Sequence, residues 1–380
     1  MMEIQVAVPR ETQAGEKRVA IVPKAAERLV KLGIKLQVEA GAGAASGIPD
    51  ESYAKSATMV SDAAQLFRSA DIVLGVNVPK AESIRQMREG TLLACFVNAR
   101  QHVEEVKLLR DRKITTFAME LIPRISRAQY LDALSSQAMV AGYKAAVLGA
   151  LRLERFFPML TTAAGTIQPA RVLVIGAGVA GLQAIATARR LGAQVEGYDV
   201  RAASRQEVES LGAKFVSGDV RAEGEGGYAR ELTEQERAAQ QEVLAKHVSR
   251  ADVVICAANV PGRPAPKILL KPMVESMKTG SVVVDLAADT GGNCELTQPG
   301  QEVRCGTVTI LGPMNVASLT AEDASQMYAN NLYNLLGLIV KQGQITLDWE
   351  DEVVGKTILT FAGEIKHEPT RQIVEGAGQR

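Results

Sequence analysis

Short apolar runs alternate with amphipathic segments through the first third of the chain. The apolar runs have the composition of strands, and they read QVAVP, KLQVEA, DIVLGVNV, TLLACFV and ITTFAME. The segments between them carry apolar residues at helical spacing, and they read PKAAERLVKLG, SDAAQLFRSA, KAESIRQMRE and HVEEVKLLRDR. Continuous apolar strands separated by helices are typical of a parallel sheet that is covered on both faces, which predicts the α/β class.

The same alternation restarts in the second half of the chain. A long helical stretch is predicted over residues 128–156, and a second set of apolar runs follows it: RVLVIGA, QVEGYDV, AKFVS, DVVICAA and SVVVDLA. The chain has 380 residues, too many for one ordinary core. We therefore expect two tandem α/β units, with a break near residues 140–165.

The last sixty residues predict a helical stretch over 320–341 and then a hairpin in ITLDWEDEVVGKTILTF. Composition alone does not decide whether these segments fold back onto the first unit. We expect that they do. The predicted domains are then 1–140 plus 320–380, and 141–319, the second with a long Gly-rich and charged loop at 220–236. Such a loop is either a lid or a solvated surface segment.

Composition and charge narrow the function classes. Apolar residues make up 47% of the chain, and 43 basic side chains balance 43 acidic ones. Because no basic block is present, we expect no nucleic-acid partner. The four cysteines form no CxxC pair, which argues against a zinc site or a disulfide framework and suits a reducing cytosol. The longest strongly apolar stretch, 335–340, is far below the ~20 residues of a membrane helix. Any membrane role is therefore expected to come through a partner.

A glycine-rich turn follows the first strand of the second unit. Gly176, Gly178 and Gly181 form a GxGxxG motif between a predicted strand and a predicted helix. In a dinucleotide site the first glycine permits the turn, the second admits the pyrophosphate, and the third lets helix and strand approach. The alternative is a glycine-rich turn without a ligand, which this full context disfavours.

The acidic residue Asp199 ends the next predicted strand, 18 residues after the last glycine. It is expected to accept hydrogen bonds from the adenosine ribose and to repel a 2′-phosphate, which predicts NAD(H) rather than NADP(H). Arg201 and Arg205 argue the other way, because a nearby arginine can bind that phosphate.

The sequence offers no obvious general base. The three histidines, His102, His247 and His367, stand in charged or polar segments, and we expect all three on the surface. Oxidation of an alcohol or an amine needs a base as well as a hydride acceptor. Direct hydride transfer between two nicotinamide rings needs none, since catalysis is then mainly positioning.

A row of polar residues lies along the predicted helix ahead of the glycine turn. Arg124, Gln129, Asp132 and Ser135 recur at intervals of five, three and three. They are suited to hold a nicotinamide carboxamide and its ribose. The alternative is an ordinary polar surface at a helix N-terminus capped by Ser126. Spacing alone gives the two interpretations similar weight.

Several motifs carry a family resemblance that covers essentially the whole chain. The stretch PRISRAQ-x-x-DALSSQA-x-x-AGY closely resembles the signature of the NAD(H)-binding component of proton-translocating nicotinamide nucleotide transhydrogenase. Other matching segments are VPRET-x-x-x-E-x-RVA, VNVP, TAAGT, VIGAGVAGLQA, GGYA-x-E, PGRPAPK and VVVDLAADTGGNCELT. One segment departs from the pattern: CAANVPG stands where relatives often have TTA-[LI]-IPG, which puts side-chain contacts there in doubt.

The resemblance implies two Rossmann-like domains with doubly wound parallel sheets and NAD in the intervening cleft. It implies catalytic roles for Gln129, Arg124, Asp132 and Ser135. The nucleotide contacts it implies are Arg124, Ile125, Ser126, Arg127, Gln129, Asp132, Ser135, Gly176, Gly178, Val179, Gly181, Asp199, Val200 and Arg201, together with Gly227 and Tyr228 of a mobile loop. No metal is implied.

The resemblance also implies partners. The chain is expected to be a homodimer that binds an NADP(H)-binding component, whose nicotinamide exchanges hydride with NADH. A separate membrane-spanning component moves protons. The expected location is the cytoplasm, attached through these partners to the cytoplasmic face of the inner membrane.

Two rival functions remain. Alanine dehydrogenases share the N-terminal pattern and bind the substrate carboxylate with an arginine matched by Arg18. Their companion lysine is replaced here by Asn77, and no histidine precedes His102 where their catalytic histidine stands. A non-catalytic NAD-sensing domain is the other alternative, because a nucleotide half-site looks the same with or without a hydride partner.

Overall fold

In a computed structural model, the described residues are 3–218, 220, 222, 224, 229–259 and 264–376. They form two compact units: Met1–Gln137 with Thr320–Arg380, and Ala138–Leu319. The boundary at Gln137 falls inside a long helix.

The N-terminal segment of the first unit, called unit 1, alternates strands and helices. In chain order these are β1 (Ile4–Val8), α1 (Pro23–Val30), β2 (Ile34–Glu39), β3 (Thr58–Val60), α2 (Ala63–Ser69), β4 (Ile72–Asn77), α3 (Ala81–Gln86), β5 (Leu92–Phe96), α4 (Val103–Asp111) and β6 (Thr115–Ala118). A 3₁₀ helix, Ser126–Leu131, and then α5 (Ala133–Arg152) follow.

The second unit, called unit 2, repeats this alternation around the glycine turn. Its elements are β7 (Leu160–Thr162), β8 (Gly165–Ile167), β9 (Arg171–Ile175), α6 (Val179–Arg190), β10 (Gln194–Tyr198), α7 (Ser204–Ser210), β11 (Lys214–Phe215), α8 (Glu234–Val248), β12 (Val253–Cys256), α9 (Lys271–Glu275), β13 (Val282–Asp285), β14 (Glu302–Cys305) and β15 (Val308–Leu311).

The C-terminal segment completes unit 1. It contains α10 (Ala321–Ile339), β16 (Val340–Lys341), β17 (Gln344–Ile345), α11 (Glu352–Thr357), β18 (Ile358–Phe361), β19 (Glu364–Ile365) and α12 (Glu368–Gly376).

Each unit is built on one large sheet. In unit 1 the strand order is β19-β18-β6-β5-β4-β1-β2-β3, parallel except for β18 and β19. In unit 2 it is β11-β10-β9-β12-β13-β15-β14, parallel except for β14. The predicted α/β class with two Rossmann-like, mainly parallel sheets is confirmed.

Burial on both faces explains why the strands are continuous apolar runs. In β9, Val172 and Val174 belong to one hydrophobic core, whereas Leu173 and Ile175 belong to the core on the opposite face. Because side chains alternate along a strand, helices on both faces of a sheet favour apolar residues at successive strand positions.

Two sequence predictions about local structure were wrong. Residues 128–156 do not form one helix, because Asp132 ends the 3₁₀ helix and caps α5 with its carboxylate. The segment 345–361 is not a hairpin, because the carboxylate of Asp351 accepts hydrogen bonds from Val353 and Val354 and so starts α11. The hairpin lies later, between β18 and β19. Over the described residues of the chain, no helix is both long and apolar enough to cross a bilayer.

Candidate nucleotide-binding site

The glycine turn lies at the carboxyl end of β9, where parallel sheets of this type bind ligands. Gly176 has φ +94°, a left-handed conformation that glycine adopts without strain, and its N–H donates to the carbonyl of Tyr198 at 2.8 Å. A Cβ on Gly181 would lie 1.8 Å from the carbonyl oxygen of Gly176. Both positions therefore require glycine to maintain the turn itself.

Gly178 is different. It is the N-cap residue of α6, and a Cβ built on it would meet no heavy atom within 4 Å. The first N–H groups of α6, beginning with Val179, have no intrahelical acceptors and carry the positive end of the helix dipole. This space is suited to an anion such as a pyrophosphate.

Asp199 follows β10 and is held by several donors. Its Oδ2 accepts from the backbone N–H of Ala177 at 2.8 Å and from Nη2 of Arg201 at 2.8 Å. Its Oδ1 accepts from the backbone N–H and the Nε of Arg201, both at 2.9 Å. The side chain of Asp199 is 8% exposed and that of Arg201 is 22% exposed. The carboxylate thus fastens the glycine turn to the end of β10 while its charge is compensated.

The neighbouring residues support this arrangement. Val200 packs against the core on one face of the sheet, and its carbonyl accepts from the N–H of Ala222 at 3.0 Å. Arg205, unlike Arg201, donates to the hydroxyl of Ser217, at 2.7 Å. Gly227 and Tyr228, assigned by the resemblance to a mobile loop, lie outside the described residues, and so do Val260, Pro261 and Gly262 of the departing segment.

The predicted row of polar residues in unit 1 does not lie on one helix. Arg124 precedes the 3₁₀ helix, exposed Gln129 lies within it, Asp132 follows it, and Ser135 is in the first turn of α5. The Asp132 carboxylate accepts from the backbone N–H of Ser135 at 2.9 Å and from its hydroxyl at 2.6 Å. The change of helix type at Asp132, rather than helical periodicity, therefore sets the spacing of these residues.

Ser126 is not the helix cap that the alternative interpretation required. The N-cap of the 3₁₀ helix is Ile125, which makes no side-chain capping bond, and Ser126 is exposed. Arg127 forms a two-point ion pair with Asp351, with Nη–Oδ distances of 3.1 and 2.8 Å. The segment is thus anchored within unit 1 through Arg127.

Helix α10 fixes the same segment from a second direction. Asn331 and Asn334 both donate to the carbonyl of Tyr130 at 3.0 Å. The hydroxyl of Ser136 donates to Asn331 at 2.8 Å. These contacts hold the backbone of 124–135 while Gln129 stays exposed.

Unit 1 contains a cluster of charged and polar side chains that the sequence did not predict. The Arg18 guanidinium donates to Glu16 at 2.8 and 2.6 Å and to Gln137 at 2.8 Å. Asn77 donates to Glu16 at 3.0 Å and to Glu11 at 3.1 Å. The motif VPRET-x-x-x-E-x-RVA contained the signal, but only the fold shows that its charged residues meet.

Burial dominates the electrostatics of this cluster. It raises the pKa of Glu11 to about 7, although the N–H of Val76 and the side chain of Asn77 both donate to the carboxylate and oppose the shift. The charge of Glu16 adds to the rise. Burial also raises the pKa of Glu120, whose carboxylate accepts from the N–H groups of Val97 and Asn98.

The three histidines lie at the surface but are half-buried, and so they are less exposed than expected. His247 is hydrogen-bonded through Nδ1 to Glu196 at 2.7 Å, and His367 to Thr370 at 2.8 Å. His102 lies 3.7 Å from Glu105. Burial lowers the pKa of His367. Among the described residues, no cluster of three or more His, Cys, Asp or Glu side chains is suited to a metal ion.

Models of known protein families match residues in both units of the chain. The model of the alanine dehydrogenase/PNT N-terminal domain matches residues 7–141, and that of the C-terminal domain matches residues 145–368. An NAD(P) transhydrogenase alpha subunit of Rhodospirillum rubrum is 47% identical over 376 residues, covering 96% of this chain and 98% of the relative. The alanine dehydrogenase of Mycobacterium tuberculosis is 34% identical over 300 residues, covering 78% and 76%. The crystal structure of the transhydrogenase from Sinorhizobium meliloti superposes with a TM-score of 0.86 at 43% identity, covering 95% and 99%.

Proposed function

The chain belongs to the alanine dehydrogenase/PNT family, and from this premise we propose that it is the NAD(H)-binding subunit of a proton-translocating NAD(P) transhydrogenase. In this proposal hydride passes directly between the nicotinamide of NADH on this chain and that of NADP⁺ on a partner subunit. The observation that carries it is the glycine turn of unit 2, which combines open space at Gly178 with a compensated carboxylate at Asp199.

The glycine turn supports binding of a dinucleotide. The pyrophosphate lies against Gly178 and the N-terminus of α6, where the free N–H groups and the helix dipole favour negative charge. The adenosine ribose lies beside Asp199, Val200 and Arg201. NAD(H) fits a carboxylate at this position better than NADP(H), since a 2′-phosphate meets the same carboxylate.

The segment 124–135 supports a positioning role at the nicotinamide end. Its backbone is fixed by Arg127, Asn331 and Asn334, whereas Arg124 and Gln129 are exposed. A rigid backbone that presents exposed polar side chains is suited to orient a carboxamide and a ribose. We assign Arg124, Gln129, Asp132 and Ser135 to this role, with Ile125 and Ser126 beside them. We keep for Gly227 and Tyr228 the role that the resemblance implies, in a loop that closes over the bound nucleotide.

The proposed chemistry is consistent with the residues that the site offers. Hydride transfer between two nicotinamides releases no proton, so it requires near-attack placement of two rings and no general base. His247 and His367 are engaged by Glu196 and Thr370. Both bonds involve Nδ1, and neither histidine belongs to the glycine turn or to the segment 124–135.

The assembly belongs to the same proposal. We propose a homodimer that binds an NADP(H)-binding component, with proton translocation performed by a separate membrane-spanning component. The chain is then peripheral at the cytoplasmic face of the membrane. Residues 1–140 with 320–380 form the domain that orients nicotinamide, and residues 141–319 form the domain that binds NAD(H).

Alanine dehydrogenase activity has less support, because the residues matched to its substrate site are already paired. The Arg18 guanidinium donates to both carboxylate oxygens of Glu16 and to Gln137. Asn77, at the position of the family's lysine, donates to Glu11 and Glu16 and carries no charge for a substrate carboxylate. An amino acid would have to displace these buried contacts without a compensating cation.

A matched pair of substitutions tests the nucleotide site. Gly178→Ala introduces a methyl group where the fold has room but the pyrophosphate does not. We expect the NADH Kd to rise at least roughly tenfold, while the free energy of unfolding changes by less than about 1 kcal/mol. Gly337→Ala, which also places its Cβ in open space, is the control and should leave NADH binding unchanged. Equal NADH affinity in wild type and Gly178→Ala would contradict the site.

A reconstituted assay tests the reaction. Wild-type chain is mixed with an NADP(H)-binding partner component, and hydride exchange between NADH and NADP⁺ is followed with a spectrally distinct nicotinamide analogue. We expect exchange without any metabolite. Reduction of NAD⁺ that depends on L-alanine and needs only this chain would establish the alanine dehydrogenase alternative. Binding of both nucleotides without exchange would favour the NAD-sensing alternative.

A further inference from the structure

A fully buried asparagine, Asn293, holds the backbone that packs against the glycine turn. Its Oδ1 accepts from the N–H of Ala258 at 3.0 Å, and its Nδ2 donates to the carbonyl of Ala258 at 2.7 Å. The same Nδ2 donates to the carbonyl of Pro266 at 2.9 Å. Asn293 is 0% exposed. One side chain thus satisfies both polar groups of a single peptide residue.

The residue that Asn293 holds is in contact with Gly176. A Cβ on Gly176 would lie 2.7 Å from the backbone nitrogen of Ala258 and 2.8 Å from the carbonyl carbon of Ala257. The N–H of Ala257 donates to the carbonyl of Ile175 at 2.8 Å, so the segment after β12 is fastened to the last residue of β9. A displacement of Ala258 would therefore move the turn that faces the pyrophosphate.

A second buried side chain orients the loop that carries Asn293. Asp285, at the end of β13, accepts from the N–H groups of Ala287 and Cys294 at 3.0 and 2.8 Å and from the hydroxyl of Thr297 at 2.6 Å. Gly292 has φ +82°, and a Cβ there would lie 2.8 Å from an oxygen of Asp285. The tight turn before Asn293 therefore needs glycine, and Asp285 keeps the amide aimed at Ala258.

We propose that Asn293 is a positioning residue of the dinucleotide site, which acts by holding Ala257 and Ala258 against Gly176. This inference rests on the proposed function, because it names a residue that sets the geometry of the same site. Asn293 reaches the nucleotide only through the backbone. Its loss should weaken pyrophosphate binding more than it weakens binding of the adenosine moiety.

The test compares Asn293→Asp with a matched control. Aspartate keeps the acceptor for Ala258 N–H but replaces the donor to the carbonyls of Ala258 and Pro266 with a second oxygen. We expect the NADH Kd to rise roughly tenfold, the equivalent of one buried hydrogen bond. Adenosine, which lacks phosphates, should lose less affinity. Asn293→Ser removes the whole amide, its donor and its acceptor, without adding charge and serves if the aspartate variant does not fold.

Asp252→Asn is the control for general destabilisation of unit 2. Asp252 lies directly before β12, at the amino ends of the parallel strands, and accepts from Arg155, Lys278 and the N–H of Arg171. This variant should lower the melting temperature and leave the NADH Kd unchanged. If the role of Asn293 were merely structural, the Asn293 variants would also have a lower melting temperature and an unchanged NADH Kd.

Three results are distinguishable in one titration series. Weaker NADH binding in the Asn293 variants, at unchanged affinity in Asp252→Asn, supports the inference. Wild-type affinity in the Asn293 variants, or equal losses of NADH and adenosine affinity, overturns it and leaves the proposed function standing. A wild-type chain that does not bind NADH overturns the proposed function, and the inference with it.

Discussion

The Asp199 carboxylate and the Arg201 guanidinium form a close ion pair beside the glycine turn, with Oδ1–Nε and Oδ2–Nη2 distances of 2.9 and 2.8 Å. The backbone N–H groups of Ala177 and Arg201 also donate to this carboxylate. Its lone pairs are therefore largely committed before a ribose arrives. The arginine weakens the repulsion of a 2′-phosphate that the aspartate alone would give.

Substitutions of the two partners should therefore change nucleotide selectivity in opposite directions. Arg201→Ala leaves the carboxylate uncompensated and free to accept from a ribose, so the ratio of NADPH Kd to NADH Kd should rise several-fold. Asp199→Ala leaves the guanidinium to pair with a 2′-phosphate, so the same ratio should fall. Fluorescence titrations with both nucleotides measure the ratio. A shift in the same direction in both variants would refute this account.

Gln129 is exposed on a segment whose backbone is fixed. A substitution there can therefore disturb the orientation of the nicotinamide ring without weakening NADH binding. Gln129→Asn shortens the side chain by one methylene and should lower the rate of hydride transfer by at least roughly tenfold, since misplacement of the ring by about 1 Å is costly. The NADH Kd should change far less. Single-turnover kinetics with the partner component measure the rate, and Tyr130→Phe is the control. Equal losses in rate and affinity would count against positioning.

Asp351 has two structural roles, whereas its partner Arg127 has one. Ion pairing and the N–H groups of α11 hold the pKa of Asp351 at about 2, with the Arg127 hydrogen bond as the largest cause. Asp351→Ala removes both the ion pair and the helix cap and should cost about 1–2 kcal/mol of unfolding free energy. Arg127→Ala removes only the ion pair and should cost clearly less, because solvent screens an exposed pair. Urea denaturation of both variants measures the difference, and equal costs would exclude the cap as the main contribution.

The fold followed from the sequence because its strands are buried on both faces. Runs such as RVLVIGA and DVVICAA are continuously apolar after their first residue, which identifies them as buried strands. The glycine turn lies between a strand and a helix as expected. The two wrong predictions, the single helix over 128–156 and the hairpin over 345–361, lie where a side-chain hydrogen bond starts a helix that the apolar pattern does not indicate. Asp132 and Asp351 each start a helix with a carboxylate cap, and the apolar pattern contains no information about caps.

The candidate site was predictable only to a limited extent. Glycine positions and Asp199 are local features of the chain, so spacing reveals them. Asn293 is distant in sequence from Ala258, with a separation of 35 residues, and no periodic signal connects them. The ion pair between Asp199 and Arg201 was not predictable either. Their closeness in sequence does not reveal that the arginine donates to the carboxylate.

The buried cluster of unit 1 joins Glu11, Glu16, Arg18, Asn77 and Gln137 through hydrogen bonds. Arg18 compensates Glu16 directly, which leaves Glu11 with neutral donors and a nearby negative charge. Burial and that charge explain why the pKa of Glu11 rises to about 7 while Asn77 and Val76 oppose the rise. The folded chain therefore holds a proton on Glu11 over a range of pH in which the unfolded chain has released it.

This proton makes stability depend on pH in a defined direction. The pKa of Glu11 rises from its ordinary 4.5 to about 7 in the folded chain. Its contribution to stability is complete below the lower value and is lost as the pH rises through the higher one. Between about pH 5 and 7 the free energy of unfolding should therefore fall by up to about 1.4 kcal/mol per pH unit from this group. Glu11→Gln mimics the protonated carboxyl and should flatten the curve in that window. Urea denaturation at intervals of pH measures both curves, and parallel curves for wild type and variant would show that Glu11 does not titrate there.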